Sequence, residues 1–318
     1  MLTKEMPREY LNAFELNNNV VQHTSSRGFW AAFGRQVSHS MLVYSPGPSS
    51  YSWRARQLFR AGVDVVALTI VRGAGGRVVA IGRAASGPRG FPRWLEALRV
   101  SRFDSFIARD SETARQLGLA LPVEPDVAFA DTYSSEFERR YIAISLRSDT
   151  ELKPEALEAL AAAVRTAGMQ PILVSQVARD DVQHRRLAQE TSIEAILWDS
   201  RSHIEQLARV RGVYAQSRAV VSDRLHALVF GVQYGCCPIA LGEGPRGKLR
   251  RTLGGVVDYI ALRRDMKAVS EVIDQALSSG QADLISRQRE EAARRLSLVR
   301  SELRSLMVAG QHSGEDRG

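Results

Sequence analysis

The segment VVSDRLHALVFG, residues 220–231, places an arginine and a histidine where a helix should begin. An apolar run, Ala219 to Val221, stops at Ser222, and apolar periodicity resumes behind it. The pattern predicts a strand feeding a helix, with the Ser222 hydroxyl capping the first backbone N–H groups. Arg224 and His226 then fall in the first turn. The helix dipole already concentrates positive charge there, and a cation is disfavoured by about 0.3–1 kcal/mol. An anion bound between the two reverses that penalty. Helix N-termini bind anions through their N–H groups, and a guanidinium adds a planar fork suited to carboxylate or phosphate. The spacing therefore predicts a cradle for a small, multiply charged anion. The alternative is an ion pair from Arg224 to a carboxylate such as Asp223 or Glu243.

Two further cations belong near this cradle. Arg147 ends the strand-like run YIAISLR, and Lys248 closes the loop GEGPRGK, residues 242–248. That loop has the outline of a phosphate-binding P-loop. Leu249 stands where a magnesium-holding Ser or Thr is needed, and Pro245 removes a cradling N–H. A basic loop beside the cradle is the better reading. RGAGGR, residues 72–77, lacks the spacing of a dinucleotide-binding fingerprint and reads as a tight turn. Arg109 and Asp110 suggest an interdomain ion pair, with Ser111 capping the next helix. The histidines at 23, 39, 184, 203 and 312 have no metal-ligand spacing, and no G-x-S-x-G elbow is present. Cys236 and Cys237 are adjacent and read as small core residues of a reducing compartment. No metal and no cofactor is expected.

The elements that carry these residues alternate. Strands are expected at 41–44, 64–71, 78–81 and 105–108, with helices at 51–61, 92–99 and 111–117. A second series has strands at 141–146, 171–175, 195–198, 219–221 and 238–241. Its helices are expected at 154–167, 180–190, 202–209, after Ser222 and from about residue 246, with a turn at 212–215. Alternation implies βαβ crossovers and parallel sheets. Two series predict two doubly wound, Rossmann-like domains facing each other across a cleft. The expected boundaries are 1–135, 136–275, and a C-terminal helix and tail at 276–318. The 318 residues carry a net charge of +8 and 44% hydrophobic residues, ordinary for a globular chain with a real core. Such a surplus attracts phosphates of some kind, whether nucleic acid, anionic lipid or a phosphorylated small molecule, but it is scattered among glutamates and argues only weakly for nucleic acid.

In order along the chain stand IGRAASGP, ARDSETARQLG, EPDVAFA, ISLR, LVSQVARDD and VVSDRLHALVFG, then the run through GEGPRGK. This series resembles the polysaccharide pyruvyl transferases over roughly residues 40–260, with Arg-Leu-His in its strand–helix setting the most specific element. The resemblance implies a glycosyltransferase-B-like architecture. It also implies transfer of pyruvate from phosphoenolpyruvate to two hydroxyls of a sugar, as a ketal on a cell-surface polysaccharide or glycolipid. Arg147, Arg224 and Leu225, the last through its backbone, fall on the phosphoenolpyruvate site, with Lys248 beside them. His226 is the acid/base or phosphate partner.

The chain departs from the family in lacking an Asn-x-Gly-Asp loop before the Met41 strand. SPGPSS, residues 45–50, stands where a glycine-rich loop is expected. A shortened first domain, a misplaced start or a degenerate acceptor side would each account for this, and the base on the acceptor hydroxyl is unidentified. The expected partners are phosphoenolpyruvate and a saccharide or lipid-linked saccharide, with no specific nucleic acid. A cytoplasmic protein is expected, with the arginine-bearing helix 281–307 suited to an anionic membrane face. Two other readings stay open: a nucleotide-sugar glycosyltransferase of the same architecture, and a non-catalytic anion- or nucleic-acid-binding protein.

Overall fold

The computed structural model describes residues 2–4, 21–23, 26–35, 37–44, 46–134, 136–150, 152–199, 201–242 and 248–312. The chain forms two compact α/β units. The first comprises residues 1–127 and 295–318, the second residues 128–294.

The second unit is a parallel sheet of strands β7 (Tyr141–Ser145), β8 (Gln170–Val174), β9 (Glu194–Ile196), β10 (Ser217–Ser222), β11 (Cys237–Leu241) and β12 (Ile260–Leu262). In space they run β12-β11-β10-β7-β8-β9. YIAIS and CPIAL are buried at every position, as continuous apolar runs must be when helices cover both faces of a parallel sheet. The covering helices are α5 (Pro154–Thr166), α6 (Asp181–Thr191), α7 (His203–Ala215), α8 (Leu225–Gln233), α9 (Lys248–Leu253) and α10 (Val269–Leu277). Chain order reverses between β7 and β10, which makes their carboxyl ends a topological switch point. Ser145 pairs with Ser222 across that junction, so the two strands stop side by side.

The first unit is narrower. β3 (Met41–Tyr44) and β4 (Gly47–Ser50) lie in succession along one edge of β5 (Arg77–Ser86). β6 (Ser105–Ala108) pairs with β5 on its other edge. A separate parallel pair, β1 (Leu2–Lys4) and β2 (Val21–His23), precedes α1 (Ser26–Gly34). The remaining helices are α2 (Ala55–Gly73), α3 (Phe91–Val100) and α4 (Ser111–Leu117). The IGRAASGP motif turns at Gly87, where a Cβ would stand 2.3 Å from the Tyr51 carbonyl oxygen, so no side chain fits. Helix α11 (Ser279–His312) belongs to the second unit as far as Arg294 and to the first from Arg295 onward.

Several expectations are corrected. Residues 64–71, DVVALTIV, form no strand; they continue α2, with Leu68 and Val71 buried at helical spacing. The propensity cost of β-branched residues in a helix, at most about 0.7 kcal/mol each, yields to packing. The turn expected at 212–215 is the last turn of α7, where Val213 and Tyr214 are buried. β12 and α10 were not expected at all. Arg109 pairs with Asp126 at 3.2 Å within the first unit, and Asp110 rather than Ser111 caps α4.

Candidate functional site

A cavity of about 430 Å³ lies at the switch point of the second unit. Among its lining residues are Arg147, Arg179, Arg224 and Arg264, with Leu225, His226 and Asp223. Arg147 and Arg224 each stand two residues beyond the paired serines that end their strands. Of the expected site residues, Arg147, Arg224, Leu225 and His226 therefore come together. Lys248 opens α9, its side chain falling outside the described residues, as do residues 243–247 with Glu243.

The start of α8 differs from the sequence reading. Arg224, in extended conformation, is the capping residue, and Leu225 opens the helix. The Ser222 hydroxyl accepts the Arg224 N–H at 2.9 Å and donates to the Ser145 carbonyl, tying the two strand ends together. The first N–H groups of any helix lack intrahelical acceptors, so the start of α8 offers donors to the cavity.

The Arg224 guanidinium has a carboxylate partner among the described residues, and it is not Asp223; Glu243 lies outside them. That partner is Asp180, fully buried and 2.5 Å from Nη2. The same Oδ1 accepts the Ser148 N–H at 2.9 Å. Asp180 thus holds Arg224 by its head and, through the Ser148 N–H, the backbone just after Arg147. Four residues on, His184 completes the bracket. Its Nε2 accepts the Leu146 N–H at 3.0 Å, and Nδ1 lies 2.8 Å from the Ser175 hydroxyl. A ring nitrogen that accepts carries no proton, so Nδ1 bears it and donates to Ser175. Burial pushes the His184 pKa down to about 4 against the opposing pull of Asp180 and Asp181, and keeps the ring neutral. Asp223 accepts the Arg147 N–H at 3.1 Å and the Thr150 hydroxyl. The Arg147 side chain, exposed, grips Asp149 through two bonds of 2.9 and 2.7 Å.

Arg179 and Arg264 also line the cavity, and the sequence reading named neither. Arg179 sits in LVSQVARDD, beyond the carboxyl end of β8, where the same strand-end rule applies. Arg264 follows β12 in IALRRD, a pattern that echoes ISLRSD. Arg263 grips Asp265 as Arg147 grips Asp149. Gly242, with φ of 72°, turns the chain after β11 while the Arg264 side chain lies against its backbone. Asp149 and Asp180 pair with two of the four lining arginines and Asp223 adds a third carboxylate, so the described side chains leave the cavity with a small positive excess, carried by Arg179 and Arg264. Such a charge balance attracts an anion rather than a cation. The two cysteine thiols are buried, and burial pushes both pKa values up to about 12. Among the described residues no cluster of His, Cys, Asp and Glu is arranged to hold a metal ion.

Solved structures share the fold. A protein from Listeria monocytogenes described as a UDP-N-acetylglucosamine 2-epimerase is 11% identical with a TM-score of 0.54; the match covers 95% of this chain and 87% of that one. HepE of Anabaena, solved in complex with UDP, is 13% identical with a TM-score of 0.50, covering 97% and 92%. A chain of a GtfA/B complex is 11% identical with a TM-score of 0.48; 80% of this chain is covered, and it spans only 61% of that chain. Likeness at this identity establishes the architecture, that of glycosyltransferase-B enzymes and related epimerases. No curated protein sequence matches the chain. The family model for polysaccharide pyruvyl transferase matches residues 65–245, more than half of the chain and inclusive of β5 through β11. The chain belongs to the polysaccharide pyruvyl transferase family.

Proposed function

We propose that the protein transfers pyruvate from phosphoenolpyruvate to two hydroxyls of a saccharide, with the donor bound in the arginine-lined cavity of the second unit. The observation that carries this reading is the convergence of Arg147, Arg179, Arg224, Arg264 and the start of α8 at one switch point. Phosphoenolpyruvate is compact and bears a carboxylate and a phosphate, which such a cavity can neutralise together. A proton adds to the methylene carbon and one sugar hydroxyl adds to the adjacent carbon, releasing its own proton. The second hydroxyl then attacks that carbon and expels inorganic phosphate, giving the ketal. His226 is the proton carrier at the donor, or the partner of the leaving phosphate. Lys248 belongs to the same donor set.

The acceptor is assigned to the first unit. A cavity of about 250 Å³ there is lined by Ser49, Tyr51, Ser52, Gln57 and Asp64, groups that suit a polyhydroxylated ligand. Burial raises the pKa of Asp64, which favours proton acceptance from a hydroxyl.

Calorimetric titration of the full chain with phosphoenolpyruvate tests the donor assignment, with UDP as control. Saturable binding is expected, weakened at least about tenfold by Arg179→Ala or Arg264→Ala, each an exposed side chain whose loss leaves the core intact. A UDP signal without a phosphoenolpyruvate signal overturns the reading in favour of a nucleotide-sugar enzyme. Asp64→Asn should abolish transfer to saccharide acceptors without changing phosphoenolpyruvate affinity.

A further inference from the structure

The first unit carries an apolar face that stands exposed among the described residues. On α2, Phe59, Val63, Val66 and Ile70 are 49–73% exposed. At 3.6 residues per turn these positions fall within about 60° of one another, opposite the buried Leu68 and Val71. Helix α3, which packs on α2, adds Phe91 and Trp94, stacked at 5.6 Å and both at least half exposed. The exposed Trp53, just ahead of α2, lies against the backbone of Gly90, just ahead of α3. Monomeric proteins rarely leave an apolar face of this kind to water without a use for it.

Charge decides what covers it. Arg54, Arg56, Arg60 and Arg89 are exposed around these side chains. Between residues 51 and 96 the acidic residues are Asp64 and Glu96. Glu96 is buried against Arg99 at 2.6 Å, and Asp64 lies on the side of α2 that faces Arg99. A second copy of the chain would meet this face through the same face, arginine rim against arginine rim, which is repulsive. An anionic bilayer meets both requirements. Its headgroup phosphates pair with arginine, and its interface takes up tryptophan, phenylalanine and aliphatic side chains.

We propose that α2, α3 and the Trp53 turn form a docking surface for an anionic lipid bilayer, on which the protein rests without crossing. Among the described residues no helix is long and apolar enough to span one. The proposal does not depend on the identity of the donor.

Flotation of the full chain with phosphatidylcholine vesicles, with and without phosphatidylglycerol, tests it. The chain should float with the anionic vesicles, and high salt should weaken the association. The double substitution Phe59→Asp, Val66→Asp should lower the vesicle-bound fraction at least about tenfold. Arg56→Glu with Arg60→Glu should lower it several-fold. Phe59→Ser with Val66→Ser, checked by circular dichroism, should reproduce the loss in a chain of unchanged helicity. Failure to float with anionic vesicles overturns the proposal. So does flotation that these substitutions leave unchanged, which would place the contact elsewhere, as on α11. A wild-type dimer that Phe59→Asp, Val66→Asp converts to monomer would give the face to a second copy and overturn it equally.

Discussion

The two units solve the same architectural problem with unequal amounts of sheet. In the second, six parallel strands are covered on both faces, and β7 and β11 expose nothing. In the first, the sheet is three strands across, and β3 and β4 alternate between partly buried and exposed positions. One helix of that unit shows water an apolar flank. A sealed sheet can afford a buried polar bracket at its switch point, because packing already fixes the elements the bracket joins. An open sheet leaves side chains available for partners. The difference predicts that substitutions at the bracket are costly and that substitutions on the α2 flank are nearly free.

The largest effect should come from Asp180→Ala. It strands the Arg224 guanidinium and the Ser148 N–H, and breaking a buried pair costs about 3–5 kcal/mol; urea unfolding measures it. A loss below about 1 kcal/mol would show that water already serves these groups. Acid should come next. The folded state holds His184 neutral down to about pH 4, whereas the unfolded chain protonates near pH 6.5, so the unfolded state binds the extra proton in that window. This stabilisation is present above pH 6.5 and is lost as pH falls toward 4. The shift corresponds to about 3 kcal/mol, and His184→Gln should flatten the profile. Gly231→Ala drives a Cβ to 2.5 Å from Val220 Cγ2, between α8 and β10, and should cost about 1–3 kcal/mol. At the other extreme, Val66→Ser in the first unit should change stability by less than about 0.5 kcal/mol. A larger loss there would mean that the flank is covered in solution.

Legibility in the sequence followed burial. YIAIS, VVS and CPIAL read as strands because both of their faces are apolar, and the βαβ order of the second unit came with them. VVALTIV reads the same way by composition, yet it is helical, because only its packing against β5 and α3 distinguishes the two. That Arg224 and His226 line one cavity was legible because, in the sequence, both contradict the helix dipole. Arg147 was legible because it ends a strand. Asp180 was not: a lone aspartate opening a helix is ordinary until folding sets it 2.5 Å from Arg224, forty-four residues away. Arg264 was hidden because β12 is three residues long, too short for periodicity to register.

The helix α11 has a consequence for how the protein comes to be folded during synthesis. Residues of the first unit are made first, yet Arg295, which holds Glu124 and the Val123 carbonyl at 2.8 and 2.9 Å, is made only after the whole second unit. The second unit is, in effect, an insertion within the first. On a ribosome it can close while its host is still open, and the host must wait, partly assembled, until the last helix emerges. A chaperone or a protease would meet the protein at that stage through its N-terminal half.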